Sequence, residues 1–214
     1  MLRALKSYWA FTSDLYKWVL LAIVPILLVL SNSVLAGVFG EADYVFLSSL
    51  LVLYAADTMS DIFFMGGFYQ KNNGALEFLQ SAPRFEVLMR EVAAADAIRR
   101  VLIYQVPFVT ACLCVGENAE RMEWCSRYSC FPLIETLIAM FVVFVARHFV
   151  VWNHAYVCAM IGYVIIVFSY WFLDVVHAEG AVAFNGILLV CILLAGVGTI
   201  LYTGKKVRDS YYDA

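Results

Sequence analysis

The chain has 214 residues, of which 64% are hydrophobic and only 14% are charged. Soluble domains carry about 25% charged residues, so this composition excludes an ordinary soluble fold and favours one membrane domain with short loops. The net charge is −3 and the basic residues are scattered along the chain, which gives no sign of a nucleic-acid partner. We therefore predict an all-α integral membrane protein in a lipid bilayer.

The first 17 residues predict an amphipathic helix at the membrane interface. Arg3 and Lys6 fall on one face of this helix, and Tyr8, Trp9 and Tyr16 fall on the other. Aromatic side chains opposite a basic face suit a helix that lies in the plane of the interface. The alternative is an unstructured basic leader that only enforces orientation.

Six apolar stretches follow, and together they predict a membrane domain over residues 18–203. Most are about 20 residues long, which is enough to cross a hydrocarbon core about 30 Å thick. Residues 204–214 are predicted to form a short tail. The predicted spans are 18–38, 44–68, 99–115, 131–151, 155–174 and 181–203.

The basic residues predict the orientation of these spans. If the N-terminus is cytoplasmic and the spans alternate, 12 of the 14 lysines and arginines lie inside, and only Arg121 and Arg127 lie outside. This asymmetry is the positive-inside bias that sets membrane orientation. We therefore predict a multi-pass protein of the bacterial cell membrane with both termini in the cytoplasm.

The same orientation places the largest polar segment, residues 69–98, in the cytoplasm between the second and third spans. Asn72-Asn73-Gly74 favours a turn. A short helix with Leu76 and Leu79 on one side follows, and Pro83 ends it. These apolar side chains have no lipid to face, so they need either a partner or the body of the protein to pack against. The residues of interest in this segment are Gly74, Leu76, Glu77, Phe78, Leu79, Pro83 and Arg84.

The order Gly-x-Leu-Glu-x-Leu-x-x-x-Pro, in this place within a six-span layout, resembles the transmembrane subunit of ABC-2-type transporters. The resemblance implies that this segment is a coupling helix, which docks on a separate ATP-binding subunit. It also implies a complex of two ATPase copies with a second copy of this chain or a homologous permease. Asn73 stands where the family often has a charged residue, and the chain is short for the family.

No sequence on this chain is suited to bind ATP or to catalyse a reaction. Gly204-Lys205-Lys206 lacks the upstream glycine and the hydroxyl of a phosphate-binding loop. We therefore expect no cofactor and no enzymatic activity on this chain, with Mg-ATP bound and hydrolysed on the partner subunit. The expected cargo is an amphipathic or hydrophobic molecule, such as a peptide toxin, a bacteriocin-like peptide or a lipid-like molecule, because the spans carry few charges.

An alternative function is the substrate-binding membrane subunit of an energy-coupling vitamin importer, which also has about six spans. The outer loops predicted here are short and acidic and lack ligand-recognition chemistry, and the cytoplasmic segment favours the exporter.

Three acidic residues within the predicted spans are candidates for the transport pathway or for gating: Asp57, Asp61 and Glu135. Asp57 and Asp61 lie at i, i+4 in the second span. Acids inside a membrane usually face protein or water, so this pair either lines a polar path, pairs with an arginine such as Arg99 or Arg147, or stays hydrated near the interface. For Glu135 we expect hydration from the outer surface.

The remaining predictions concern the membrane interfaces, a metal site and a disulfide. Arg147, His148 and His154 are expected to anchor the inner interface, and Trp124 the outer one. The six cysteines show no metal-ligand spacing, so we predict no metal site. Cys125 and Cys130 flank the second outer loop, and a disulfide between them remains open.

Overall fold

The computed structural model describes residues 18–27, 29–30, 34, 42–64, 84–114, 118–149, 154–175 and 181–208. Within these ranges every regular element is helical, which confirms the all-α prediction. A π-helical segment, Val19–Ile23, comes first. The helices that follow are α1 (Ala42–Phe64), α2 (Phe85–Cys114), α3 (Asn118–Tyr128), α4 (Cys130–His148), α5 (Ala155–Val175) and α6 (Ala181–Arg208).

Three stretches in the described part of the chain are long and apolar enough to cross a membrane: Phe85–Cys114, Glu120–His148 and Ala183–Lys205. A shorter apolar helix covers Ala155–Trp171. These helices indicate a membrane-embedded protein. The full set of six spans stays a prediction, as does the side of the membrane on which each end lies.

α2 joins two segments that the sequence predicts separately, the cytoplasmic stretch 85–98 and the third span. It runs for 30 residues, or about 45 Å at 1.5 Å per residue. Pro107 lies inside this helix and is buried. The Thr110 hydroxyl lies 2.8 Å from the Val106 carbonyl oxygen and 2.9 Å from that of Pro107, so a side chain bonds the backbone near the proline.

The second outer loop of the prediction is largely helical. α3 occupies Asn118–Tyr128 and is followed after Ser129 by α4. Trp124, which the sequence assigns to the outer membrane interface, packs inside the bundle, and its depth in the membrane stays a prediction. Its ring is buried against Phe46 of α1 at 5.2 Å between centroids and Tyr128 at 4.8 Å, and its indole nitrogen donates to Asp43.

α4 is the central helix and packs against α1, α2, α5 and α6. Its neighbours differ in how much apolar surface they leave uncovered. α5 and α6 expose many large side chains, including Phe168, Trp171, Leu193 and Leu194. A soluble protein rarely exposes so continuous an apolar surface, whereas lipid tails are as apolar as these side chains.

Polar contacts show which helix ends lie together. At one end Asp61 of α1 pairs with Arg147 of α4, and Thr203 Oγ1 of α6 lies 3.2 Å from His148 Nε2. At the opposite end Asn185 Nδ2 of α6 donates to Ser129 Oγ at 2.7 Å, and Asp43 meets Trp124. α1, α4 and α6 therefore run in the same direction.

The predicted interfacial helix, half of the coupling segment and the last six residues of the tail lie outside the described residues. This applies to residues 1–17, to 65–83 with Gly74, Leu76, Glu77, Phe78, Leu79 and Pro83, and to 209–214. Arg84 is described: it is exposed, and its carbonyl accepts the Leu88 N–H at 3.1 Å in the turn that begins α2.

Candidate functional site

Six charged side chains from three helices meet in the interior of the bundle. α1 contributes Asp57 and Asp61 at i, i+4. α2 contributes Asp96, Arg99 and Arg100 at i, i+3 and i+4, a spacing that places all three on one face of the helix. α4 contributes Arg147, and all six side chains are nearly inaccessible, with exposures of 7% or less. We call these residues the charge network.

Asp57 binds two arginines at once. Arg99 Nη2 donates to Asp57 Oδ1 at 2.6 Å, and Arg100 Nε donates to Oδ2 at 2.9 Å. Both carboxylate oxygens are therefore used by charge-assisted hydrogen bonds, the stronger class of hydrogen bond in proteins. These bonds hold α1 against the middle of α2.

Asp61 joins all three helices. Arg100 Nη2 donates to Asp61 Oδ1 at 2.9 Å, and Arg147 Nε donates to Oδ2 at 3.1 Å. Arg147 Nη2 also contacts Oδ1, so its guanidinium binds Asp61 through two nitrogens. One carboxylate on α1 thus bridges an arginine of α2 and an arginine of α4.

Asp96 completes the network from within α2. Its carboxylate contacts Arg99 Nη2 at 3.2 Å, Arg147 Nη1 at 3.0 Å and Arg100 Nη1. Every aspartate therefore contacts at least two arginines, and every arginine contacts at least two aspartates. The formal charges sum to zero.

This balance explains how the network can stay buried. Taking an ion out of water costs several kcal/mol even after relaxation, and mutual attraction offsets that cost only where the hydrogen bonds are good. A hydrophobic cluster of similar size would hold the helices together as well. Ionisable groups within membrane segments commonly mark transport paths, relays or switches, so the charge network is a candidate functional site.

The sequence left three arrangements open for Asp57 and Asp61, and the structure has them paired with arginines. Arg99 and Arg147, the two arginines named from the sequence, are both partners. Asp96 and Arg100 were missed as site residues. Their i, i+4 spacing, on the same helix as Arg99, could have identified them from the sequence. A role of the aspartates in a pathway or in gating stays a prediction.

Glu135 lies apart from the charge network, and the expectation that it is hydrated from outside is wrong. Its side chain is fully buried in α4. Tyr170 of α5 donates a hydrogen bond to Oε1, whereas Oε2 has no hydrogen-bond partner among the described residues. α3 and its aromatic neighbours cover the end of the bundle from which water was expected to reach Glu135.

Two of the three expected interfacial anchors also have different environments. Arg147 is buried in the charge network, and His148 is buried against Phe144 and Tyr202, with ring centroids 5.1 and 5.3 Å apart. His154 is exposed. Arg147 turns inward because Asp61 and Asp96 offer it two carboxylates in a site closed to water.

The cysteines are all free thiols. Cys112 of α2 and Cys125 of α3 pack against the same core cluster and interact electrostatically, so Cys125 has a thiol neighbour besides the Cys130 considered from the sequence. In the described part of the chain no group of three or more histidine, cysteine or acidic residues is placed to hold a metal ion.

An apolar cavity of about 760 Å³ lies between α4, α5 and α6. Phe141 and Phe144 of α4, Ile161 and Ile165 of α5 and Tyr202 of α6 are among its lining residues. Phe141 is largely exposed although α4 is the central helix, so the cavity opens at the surface of the bundle. Ligand sites are commonly about 300–1,000 Å³ and mostly apolar, and this cavity falls within that range.

The described residues thus combine a neutral charge network, one isolated buried carboxyl group and one apolar cavity. The network is suited to hold or to switch the relative positions of α1, α2 and α4, and the cavity is suited to an apolar ligand. Comparison with known proteins finds no matching family model, no similar curated protein and no similar solved structure.

Proposed function

We propose that this chain is the membrane-spanning permease subunit of an ATP-driven exporter of the ABC-2 type. A separate ATP-binding subunit, present in two copies, would dock on the coupling segment within 69–98, and a second copy of this chain or a homologous permease would complete the complex. The cargo is an amphipathic or hydrophobic molecule that leaves the cell through the bacterial membrane.

One observation carries this proposal. The motif at 74–83 is followed directly by α2, and α2 continues without interruption from Phe85 to Asp96, Arg99 and Arg100 of the charge network. A displacement of the docked segment would therefore be passed along one helix to the ion pairs that join α2 to α1 and α4. Interfaces and packed cores switch between discrete arrangements, and a neutral network with several alternative partners suits such a switch.

The apolar cavity supports the class of cargo. Its lining is almost entirely aliphatic and aromatic, with Thr199 and Tyr202 as polar members. A site of this kind favours an acyl chain or the apolar face of a peptide over a polar metabolite, because a polar group buried there would lose its hydrogen bonds to water.

The test is co-purification of an ATP-binding subunit from native membranes. The tagged chain is purified in a mild detergent, bound proteins are identified by mass spectrometry, and ATP hydrolysis is measured in nanodiscs. We expect Leu79→Asp to lose the ATPase, because buried apolar anchors dominate the energy of an interface. Ser81→Asp, which puts the same charge on the opposite side of the predicted helix, is the matched control, and Arg84→Ala should have only a mild effect.

Retention of full ATPase binding by Leu79→Asp would contradict the docking role of this segment. Purification without any ATP-binding protein, from membranes that still transport the cargo, would contradict the exporter as a whole.

A further inference from the structure

Glu135 is a carboxyl group without a cationic partner in the described structure. The charge network gives each of its three aspartates at least two arginines. Glu135, on α4, is equally buried, but no ion pair among the described residues includes it. Its one described hydrogen bond comes from the neutral hydroxyl of Tyr170 on α5. Two buried acids of one bundle, Glu135 and Asp57, thus lie in opposite electrostatic settings.

Tyrosines surround Glu135 from the neighbouring helices. Tyr54 of α1 and Tyr104 of α2 both lie within electrostatic range of its carboxyl group. Tyr104 is fully buried, and its hydroxyl has no hydrogen-bond partner in the described residues. The Tyr54 hydroxyl donates to the Ala159 carbonyl oxygen at 3.0 Å. The free oxygen of Glu135 and the free hydroxyl of Tyr104 are therefore two unpartnered polar atoms in one closed region.

Among the described residues, the ionisable groups near this region on α1, α2, α4 and α5 include no cation paired with Glu135. α1 presents Tyr54 and, farther along, Asp57. α2 contributes Tyr104, which also interacts electrostatically with Asp57 and Arg100, and α5 contributes Tyr170. On α4 itself, the Cys130 thiol interacts electrostatically with Tyr170. The positive charge of Arg100 is already shared among Asp57, Asp61 and Asp96.

An ionised carboxylate in this position would be costly. Burying an unpaired charge is strongly unfavourable even after relaxation, and one neutral hydrogen bond offsets only a small part of that cost. A bound proton removes the charge of the carboxylate, and it is small enough to be held in a packed interior without a cavity.

We propose that Glu135 is a proton-binding site of this protein. It holds the proton on its carboxyl group in the closed arrangement described above and releases it when a helix moves and admits water. On release the O–H bond of the carboxyl group breaks, the electron pair stays on the carboxylate oxygen, and the proton passes to a water molecule. This site stands independently of the proposed ATPase docking, because none of its residues lies in the coupling segment.

Its position suggests what the proton controls. Glu135 is five residues from the start of α4, or about 8 Å along the helix axis. Tyr104 interacts electrostatically with Glu135 on one side and with Asp57 and Arg100 on the other. Loss of the proton places a negative charge beside Tyr104, and this charge acts through the same residue on the edge of the charge network. Proton release would therefore change the electrostatic environment of a residue that also interacts with Asp57 and Arg100 of the network.

The test is infrared absorption spectroscopy of the full-length purified chain in nanodiscs, compared between the native protein and its variants. The pH is neutral, where a hydrated glutamate is ionised. We expect the C=O band of a protonated carboxylic acid in the native protein. Glu135→Gln should abolish this band, since the amide has no acid C=O group yet still offers Tyr170 an acceptor oxygen. Glu123→Gln, at an exposed acid of α3, is the matched control and should retain the band.

A Glu135→Gln spectrum that keeps the acid band, or a native protein without one, would overturn the proposal. If Glu135→Gln does not fold, Tyr170→Phe supplies the same test. It removes the hydrogen bond to Oε1, so the acid band must shift to higher frequency if it arises from Glu135. A band that does not move in Tyr170→Phe belongs to another group and also overturns the proposal.

Discussion

Arg100 of α2 and Asp57 of α1 face each other inside the bundle, with Nε donating to Oδ2 at 2.9 Å and both side chains closed to solvent. The same guanidinium also binds Asp61 and Asp96. Arg100 is therefore the one arginine that contacts all three aspartates, and its removal disturbs the charge balance more than any other single change in the network.

Arg100→Met should destabilise the protein strongly. It leaves three buried aspartates with two arginines, and breaking a buried pair typically costs about 3–5 kcal/mol. The free energy of unfolding in detergent, measured by denaturant titration, checks this. Arg127→Met is the matched control, because Arg127 is exposed and its described contact is with the Tyr128 ring at 5.5 Å, an interaction of about 0.5–1 kcal/mol at such sites. Equal losses in the two variants would contradict the cooperative network.

Asp61 and Arg147 should show strong coupling in a double-mutant cycle. Asp61→Asn and Arg147→Gln each leave an unbalanced charge, whereas the double variant is neutral again. We expect the double variant to be more stable than the sum of the single effects by about 0.5–3 kcal/mol. The measurement is the free energy of unfolding of the four proteins. Combining Asp61→Asn with Arg127→Gln, at a distant exposed site, should instead be additive within about 0.5 kcal/mol.

Gly162 of α5 should not tolerate a side chain. A Cβ atom there would overlap the Tyr54 hydroxyl and lie 2.7 Å from Cγ2 of Val142. We expect Gly162→Ala to cost about 1–3 kcal/mol, as for other overpacked sites, despite the better helix propensity of alanine. Thermal unfolding of the detergent-solubilised protein measures this loss of stability.

Two variants make this result specific. Gly198→Ala is the control, because a Cβ atom at Gly198 meets no atom within 4 Å, and its stability should not fall. Tyr54→Phe combined with Gly162→Ala should recover part of the loss, since it removes the overlapping hydroxyl. No recovery would show that the clash with Val142 dominates.

Mild oxidation should cross-link Cys112 to Cys125. Their side chains pack against the same core cluster and interact electrostatically between α2 and α3, and neighbouring thiols can form a disulfide once an oxidant takes up the two electrons. Peptide mapping by mass spectrometry without reduction identifies the linked pair. Cys125→Ser should abolish the cross-link and Cys130→Ser should leave it unchanged. A Cys125–Cys130 link in the native protein would contradict the described arrangement of α2 and α3.

The helices of this protein follow from its sequence. Long apolar runs must be helical in a bilayer, because lipid offers no partner for a free backbone N–H or C=O group, and the ends of α1, α4 and α5 lie within a few residues of the predicted ones. The spacing of Asp57 and Asp61, and of Asp96, Arg99 and Arg100, likewise determines which side chains share a helix face. The pairing of acids with arginines follows from the cost of leaving a buried charge alone.

The environments of single residues depend on the tertiary structure. Glu135 and Arg147 both belong to α4. The sequence alone predicts hydration for Glu135, and for Arg147 it leaves open an interfacial anchor or a partner of the aspartates. Packing of α3 and the aromatic side chains around it closes the Glu135 site to water. Ion pairs with the aspartates of α1 and α2 hold the Arg147 side chain in the interior. Helical periodicity identifies the face on which a residue lies. Which neighbouring helix covers that face, and whether it brings a cation, a tyrosine or water, is decided by contacts between residues far apart in the chain.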